Sequence, residues 1–526
     1  MRSYYSHLEQ VKDTLALNES KPVFRASAIF PAIHRKRIHT RLIFLSYWLL
    51  KRSLQEITCL VTLRCQEGRV VHRTMETIND PRSYRVELVD LIISCGLDVD
   101  NIFVGSLEIE FFSSKPLVYP FPAVTVNYYG PDCSTFVHTA QRIYNDYEDM
   151  MTNSQQHVPE AGFNIHVNPN TEPLIGLING PVDDHQVSLD FEFINSDNEV
   201  LKHEFILGAL APYETQMIYP ARELDLNTFL QGRVGTMKVS FDIPWIFPRL
   251  IVGNVRDKPI SMSITHSYYD CSAATQKSDY WITPEEGWYS AALSVPVQVK
   301  GEEKRTNIYF YPIYTPSDFT LDLHIYDRKG NLVYKREEVV AVQSSVGEYY
   351  CLSLNEILGD IDTSNYEDLS AHLIAKTNKN HKIPARVKIS VDICHDEGLP
   401  CNICTNLVPF NPEWKNKERT FRWLPLLADQ KRCSVWILNN SLKVEHNEET
   451  QAILSFYRES DTRTIVREVF IPANGYLVIR PDEDDELTDF LQDTIGWVTV
   501  DIANPYVTTY YLAENPSGNI GGDHGY

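Results

Sequence analysis

Pro259-Ile260-Ser261-Met262-Ser263-Ile264-Thr265-His266-Ser267-Tyr268-Tyr269-Asp270 alternates apolar and polar residues and then runs into a polar turn. That period of two is the pattern of a half-buried strand. Its histidine belongs to a spaced set. His138, His266, His395 and His524 follow one another at intervals of 128, 129 and 129 residues. A fixed period in a long chain is the signature of a repeated architecture, and one of this size is a whole small domain that can bury its own core. The spacing predicts four tandem modules, over 1–150, 151–280, 281–408 and 409–526. One echo cuts across this register. Tyr128-Tyr129 with Asp132-Cys133-Ser134 resembles Tyr268-Tyr269-Asp270-Cys271-Ser272, and aligning the two would set Asn127, not His138, near the counterpart of His266.

Working outward, matching segments carry the repeat further than the histidines do. Each copy has an alternating strand, a polar turn and a second strand, the signature of a β-hairpin. The turns are Gln66-Glu67-Gly68, Ser196-Asp197-Asn198, Asp327-Arg328-Lys329-Gly330 and Glu459-Ser460-Asp461. Downstream of each lies a short acidic, Leu-rich segment, at 87–92, 223–230, 354–358 and 486–491. These read as one or two helical turns with carboxylates near the N-terminus, where the helix dipole favours them. A further strand follows at 105–111, 235–241, 371–375 and 496–501. Pro159-Glu160, Pro284-Glu285 and Pro412-Glu413 recur between copies and suggest linkers. Trp281, Trp288, Trp414 and Trp423 lie near the second and third of these and suggest packed junctions. The fold class that results is all-β: four tandem antiparallel β-sandwiches, jelly-roll or immunoglobulin-like, with short helical crossovers.

Composition sets outer bounds. Apolar residues make up 43 % and charged residues 22 % of the 526, close to the average for globular domains. With 29 Tyr and 22 Phe the chain leans toward strands. A net charge of −22 speaks against a nucleic-acid groove or an anionic membrane surface. The basic group Arg35, Lys36, Arg37, His39, Arg41, Lys51 and Arg52 reads as a solvated strand edge and loop rather than a phosphate site. The N-terminal residues lack the apolar core of a secretory signal. The most apolar run, Leu42 to Leu50, is too short to span a bilayer. Ten irregularly spaced cysteines do not form a disulfide framework. The expectation is a soluble cytoplasmic protein.

Two sets of residues invite chemistry. Cys394-His395-Asp396-Glu397-Gly398-Leu399-Pro400-Cys401-Asn402-Ile403-Cys404 contains a Cys-x-x-Cys knuckle. Cys394, His395, Cys401 and Cys404 are the donor types of a structural zinc site. Against this, Cys394 and His395 would point to opposite faces of a continuous strand, and a second knuckle is missing, so unrelated thiols in a loop are the favoured reading. The spaced histidines His138, His266, His395 and His524 could form equivalent junction or ligand sites, although structural histidines bonded through their ring nitrogens are the more common outcome. Asp482-Glu483-Asp484-Asp485-Glu486 lacks calcium-loop spacing and reads as a solvated charge run. No phosphate-cradling loop, dinucleotide fingerprint, nucleophile elbow or His-Glu-x-x-His helix is present in the sequence. No catalytic residue and no cofactor other than a structural zinc are expected. The sequence favours a non-enzymatic recognition or scaffolding protein with a protein or glycan partner. The alternatives are a hydrolytic or metal-assisted enzyme with one specialised repeat, and an assembly subunit.

Overall fold

A computed structural model describes residues 23–144, 158–269, 281–282, 286–289, 291–299, 304–311, 318–343, 348–359, 361–377, 383–384, 387–395, 398–409, 416–444 and 448–526. Within them one plan of eight strands occurs four times. The first module uses Arg25–His34, His39–Leu45, Ile57–Cys65, Val70–Ile78, Ser83–Glu87, Phe103–Phe112, Val124–Gly130 and Cys133–Val137. The second uses Val158–Ile165, Thr171–Ile178, Asp184–Ile194, Val200–Leu210, Thr215–Ile218, Gly235–Phe241, Ile251–Asp257 and Ile260–His266. The third uses Ala291–Gln298, Lys304–Phe310, Phe319–Tyr326, Leu332–Val342, Tyr350–Ser353, Asp368–Thr377, Val387–His395 and Cys401–Pro409. The fourth uses Thr420–Leu427, Arg432–Leu438, Thr450–Tyr457, Thr464–Ile471, Tyr476–Ile479, Ile495–Ile502, Thr508–Glu514 and Ile520–His524.

In every module the fourth, third, sixth and first strands form one antiparallel sheet in that order. The fifth, second, seventh and eighth form the other. Only the third–fourth and seventh–eighth strands are hairpin neighbours in sequence, so the remaining connections cross between sheets. In the third module the two sheets join, because Ala291 and Ala292 of the first strand pair with Pro409 and Val408 of the eighth. The acidic, Leu-rich segments become the short helices Leu88–Ser94, Leu226–Leu230, Leu354–Leu358 and Asp485–Leu491, each between the fifth and sixth strands. Asp225 and Asp484 cap two of them, accepting from the Thr228 and Leu487 amides at 3.1 Å. The leucines seal the end of the sandwich: Leu226 and Leu230, Leu354 and Leu358, and Leu487 and Leu491 are buried.

The linker expectation needs one correction. Pro159-Glu160 lies inside the first strand of the second module, not before it. A proline is tolerated there where its nitrogen is not required for the ladder. Pro284-Glu285, Pro412-Glu413 and Trp414 fall outside the described residues. The aromatic junctions are present at Trp288, 5.4 Å from the Tyr506 ring, and at Trp423, stacked 5.0 Å from Tyr47 of the first module.

The second sheet of a module is apolar on both faces. In the fourth module Val435 and Ile437 point into the module's own sandwich, while Trp436 and Leu438 belong to the core of the third module. The same split recurs at Ile308 and Phe310 against Tyr309, the latter packed with Ile194 of the second module. It recurs again at Ile175 and Leu177 against Leu174, which joins the core of the first. The first module completes the series, since its core is continuous with that of the fourth.

The third–fourth hairpin turns lock this arrangement. The Gln66 carbonyl accepts the Thr215 amide at 2.8 Å, so the first turn caps the fifth strand of the second module. Asn198 Oδ1 accepts the Tyr349 amide at 2.8 Å, joining the second to the third. The Arg328 carbonyl accepts the Tyr476 amide at 3.4 Å, joining the third to the fourth. The Arg458 carbonyl accepts the Ser83 amide at 3.1 Å, joining the fourth back to the first. The chain is therefore a closed ring of four. Its last junction is reinforced by Arg85 with Glu459 at 3.0 Å and by Arg41 with Asp429 at 2.5 Å. No described helix is long and apolar enough to cross a membrane.

Gly330 tests the docking. Its φ is +81° and a Cβ there would lie 1.9 Å from the Ala473 carbonyl oxygen of the next module. Gly208 has φ +78° with nothing near a Cβ. Gly208→Ala should cost about 1 kcal/mol from backbone conformation alone, and Gly330→Ala roughly 2 kcal/mol more, read as urea unfolding midpoints.

Candidate functional site

The eighth strands of the four modules meet at the centre of the ring. The strand of the first packs against those of the second and fourth, and the strand of the third packs against the same two. Four eighth strands thus converge on one axis, three of them at the edge of their sheets, and side chains satisfy polar groups across it. Thr135 Oγ1 donates to the Ile264 carbonyl at 3.2 Å and accepts the Ile264 amide at 2.8 Å. Ser263 hydrogen-bonds the Pro400 carbonyl. Cys401 Sγ donates to the Gly522 carbonyl at 3.6 Å. The His138 amide donates to Asp523 Oδ2 at 3.1 Å. Gly521 is needed for this approach, because a Cβ would lie 1.9 Å from the Ser134 carbonyl oxygen.

At one end of the axis stand His138, His266 and His524. The register makes them equivalent. His266 pairs with Ile251, which pairs with Gly176, two residues before the last of the second strand. His524 pairs with Tyr510, which pairs with Trp436, again two before the end. His138 follows Val137, the partner of Val126, and so stands opposite Thr125, whose partner is Ile43. In the third module this position is Cys404, through Ser390 and Tyr309, whose ring lies on the face turned to the second module. His395 sits elsewhere, at the end of the seventh strand, with Nε2 4.0 Å from Glu514 Oε2. It lines a charged cavity of ≈ 520 Å³ with Lys304, Asp368, Arg432 and Arg480.

One ring nitrogen of each of the three histidines lies within 4.8 Å of the other two. The His138 ring is 4.8 Å from that of His266 and 4.2 Å from that of His524, centroid to centroid. Each Nδ1 is engaged by an oxygen: His138 by Asp523 Oδ2 at 2.7 Å, His266 by the Ser267 carbonyl at 3.0 Å, His524 by the Gly525 carbonyl at 3.0 Å. A carbonyl only accepts, so in a neutral ring Nδ1 carries the proton and Nε2 the lone pair. Burial, followed by Arg249 and His138, holds His266 well below the ordinary histidine range. Burial and His138 bring His524 down to about 4. Burial alone would push the Asp523 carboxyl up, but its contacts with His138 and His524 together hold it low. Tyr526 completes the wall: its hydroxyl donates to the His138 carbonyl at 3.0 Å and its ring is 5.7 Å from that of His138. A cavity of ≈ 240 Å³, lined among others by Ser294, His372, Arg422 and Tyr506, reaches His524 and Gly525.

The cysteine knuckle is arranged differently. Cys401 and Cys404 are three residues apart on one strand and so face opposite sides of the sheet. Cys394 and His395 are adjacent on its neighbour and diverge for the same reason. Burial pushes the Cys401 thiol well above its ordinary value. Asp396 and Glu397 lie outside the described residues. Among the described residues, three metal-ligating side chains gather at His138, His266 and His524 and not at the knuckle. Sequence reading named Cys404 as part of the knuckle and not as the fourth equivalent position, and it missed Asp523 and Tyr526 as supports. No motif marks them, because they act through contacts distant in sequence.

No family model matches the sequence, and no curated protein matches it significantly. Comparison with solved structures returns a tetra-tandem repeat from the extending region of a large adhesion protein, at 10 % identity and a TM-score of 0.09, covering 95 % of this chain and 98 % of that one. It also returns a β-glucuronidase of Bacteroides uniformis, at 9 % identity and a TM-score of 0.10, covering 47 % of this chain and 26 % of that one. A family 2 glycosyl hydrolase of Bacteroides cellulosilyticus follows, at 7 % identity and a TM-score of 0.12, covering 95 % and 92 %. At these scores the superpositions carry no argument. The strand order stands on its own.

The cavity beside His524 generates a pH prediction through His372, whose ring is fully inside. Burial, and then the neighbouring His324, bring it down to about 3. Between pH 6.5 and about 3 the unfolded chain therefore binds one more proton at this site than the folded chain. Folding stability falls as the pH drops through that window, by up to about 1.4 kcal/mol per pH unit from this ring. His372→Leu should show a shallower loss between pH 7 and pH 5 in urea titrations, and an unchanged slope would contradict the assignment.

Proposed function

We propose that this chain is a non-enzymatic scaffold and recognition protein whose closed ring displays one surface in four copies. The observation that carries the reading is the position of the fourth strand. In every module it forms the outer edge of its sheet, on the side away from the axis, among the described residues. Each of these edge strands mixes charge with at least one exposed apolar side chain: Met75, Ile206, Leu332 and Phe470. Charge on an edge discourages pairing with copies of the same chain, while an exposed edge with alternating side chains suits an extended partner strand. Four such edges on one body raise avidity without new contacts, provided the partner presents matching sites. A protein partner with extended segments fits best, and a glycan is the other class of ligand in view.

Peptide and glycan arrays probed with the full chain separate these classes. Saturable binding without turnover is expected, with dissociation slowed at least tenfold on densely coated surfaces. Met75→Lys combined with Phe470→Lys should weaken that slowing while leaving the melting temperature within a few degrees. Turnover of a bound substrate would sink the reading in favour of an enzyme.

A further inference from the structure

We propose that His138, His266 and His524 form a three-imidazole site for one divalent ion of the zinc class at the centre of the ring. The three residues come from three modules and occupy one equivalent position in the strand register. Module packing alone does not require a ring nitrogen there, since the equivalent place in the third module is filled by Cys404. The histidines instead share what ligand histidines need. Each Nδ1 is held by an oxygen, one of them a buried carboxylate, which fixes the tautomer and aims Nε2. In that tautomer each Nε2 carries the lone pair that a metal ion takes.

Imidazole donors suit zinc, copper, nickel and iron, and three of them leave a tetrahedral ion its fourth position. Ligand nitrogens on a tetrahedral zinc stand roughly 3.4 Å apart. Starting from separations within 4.8 Å, each ring need move by less than about 1 Å. The cavity that reaches His524 gives the ion a way in and a water molecule the fourth place. Because the rings belong to the first, second and fourth modules, a bound ion ties the closing junction of the ring to its neighbour.

Full-length protein stripped with a chelator and titrated with ZnCl₂ should take up one ion per chain, with a rise of several degrees in melting temperature. Cobalt in its place should give the visible absorption of a tetrahedral nitrogen-ligated ion. X-ray absorption of the zinc-loaded wild type, which needs no variant, should show only nitrogen and oxygen donors near 2.0–2.1 Å, and sulfur at about 2.3 Å would place the ion at the cysteine knuckle instead. His524→Gln, at the most accessible of the three positions, should weaken binding at least tenfold with circular dichroism unchanged, while Cys401→Ser/Cys404→Ser leaves it intact. Absence of stoichiometric uptake by the wild type, or uptake unaltered in His524→Gln, overturns the proposal.

Discussion

The sheet made from the fifth, second, seventh and eighth strands has no face to give to water. One side fills its own sandwich and the other carries Trp436, Leu438, Tyr476 and Tyr510 into the core of the module before it. Full burial of a large apolar side chain is worth about 1.5–3 kcal/mol. Three or four of them at a junction match the whole net stability of an ordinary domain, about 5–15 kcal/mol. A module without its predecessor would therefore stand exposed on its most apolar surface. In a linear array the first module would always be in that position. The fourth module removes the difficulty by supplying the missing cover, which is why Arg458 meets Ser83 and Trp423 meets Tyr47. Ring closure follows from two-sided burial.

That constraint separates what the sequence discloses from what it hides. The hairpin turns, the Leu-rich helices and the all-β class follow from local chemistry, and local chemistry is what periodicity reports. Leu42-Ile43-Phe44-Leu45 and Val435-Trp436-Ile437-Leu438 also carry a readable signal: a strand without alternation is covered on both faces. The identity of the covering partner leaves no local trace. Contacts between residues 83 and 458, or 138 and 523, join positions hundreds of residues apart.

The histidine period shows how a correct repeat can misplace one member. In the first and second modules the seventh–eighth hairpin closes between Gly130 and Cys133 and between Asp257 and Ile260. In the third, the last pair is Ile393 with Cys401, a longer connection. The interval measured from His266 therefore lands on His395 in the seventh strand, before the turn, while the structural counterpart Cys404 lies beyond it. The echo between Tyr128-Tyr129 and Tyr268-Tyr269 fails for a related reason. The first pair belongs to a seventh strand and the second follows an eighth.

The axis gathers the consequences. An exposed strand edge is a liability, with a row of amides and carbonyls open to other chains. Here the four eighth strands face one another, and Thr135, Ser263, Cys401 and Asp523 supply bonds between them that a continuous ladder would otherwise make. Side-chain bridging of this kind needs a small residue where backbones approach, which Gly521 provides against Ser134. It also departs from exact symmetry, since a hydroxyl, a thiol and a carboxylate reach by different lengths. The polar groups on the axis therefore set the spacing between modules. The hairpin turns on the outer side of each junction fix its angle. With both ends of every junction held, a shift at any one must be shared by the other three, and the ring responds as a single body.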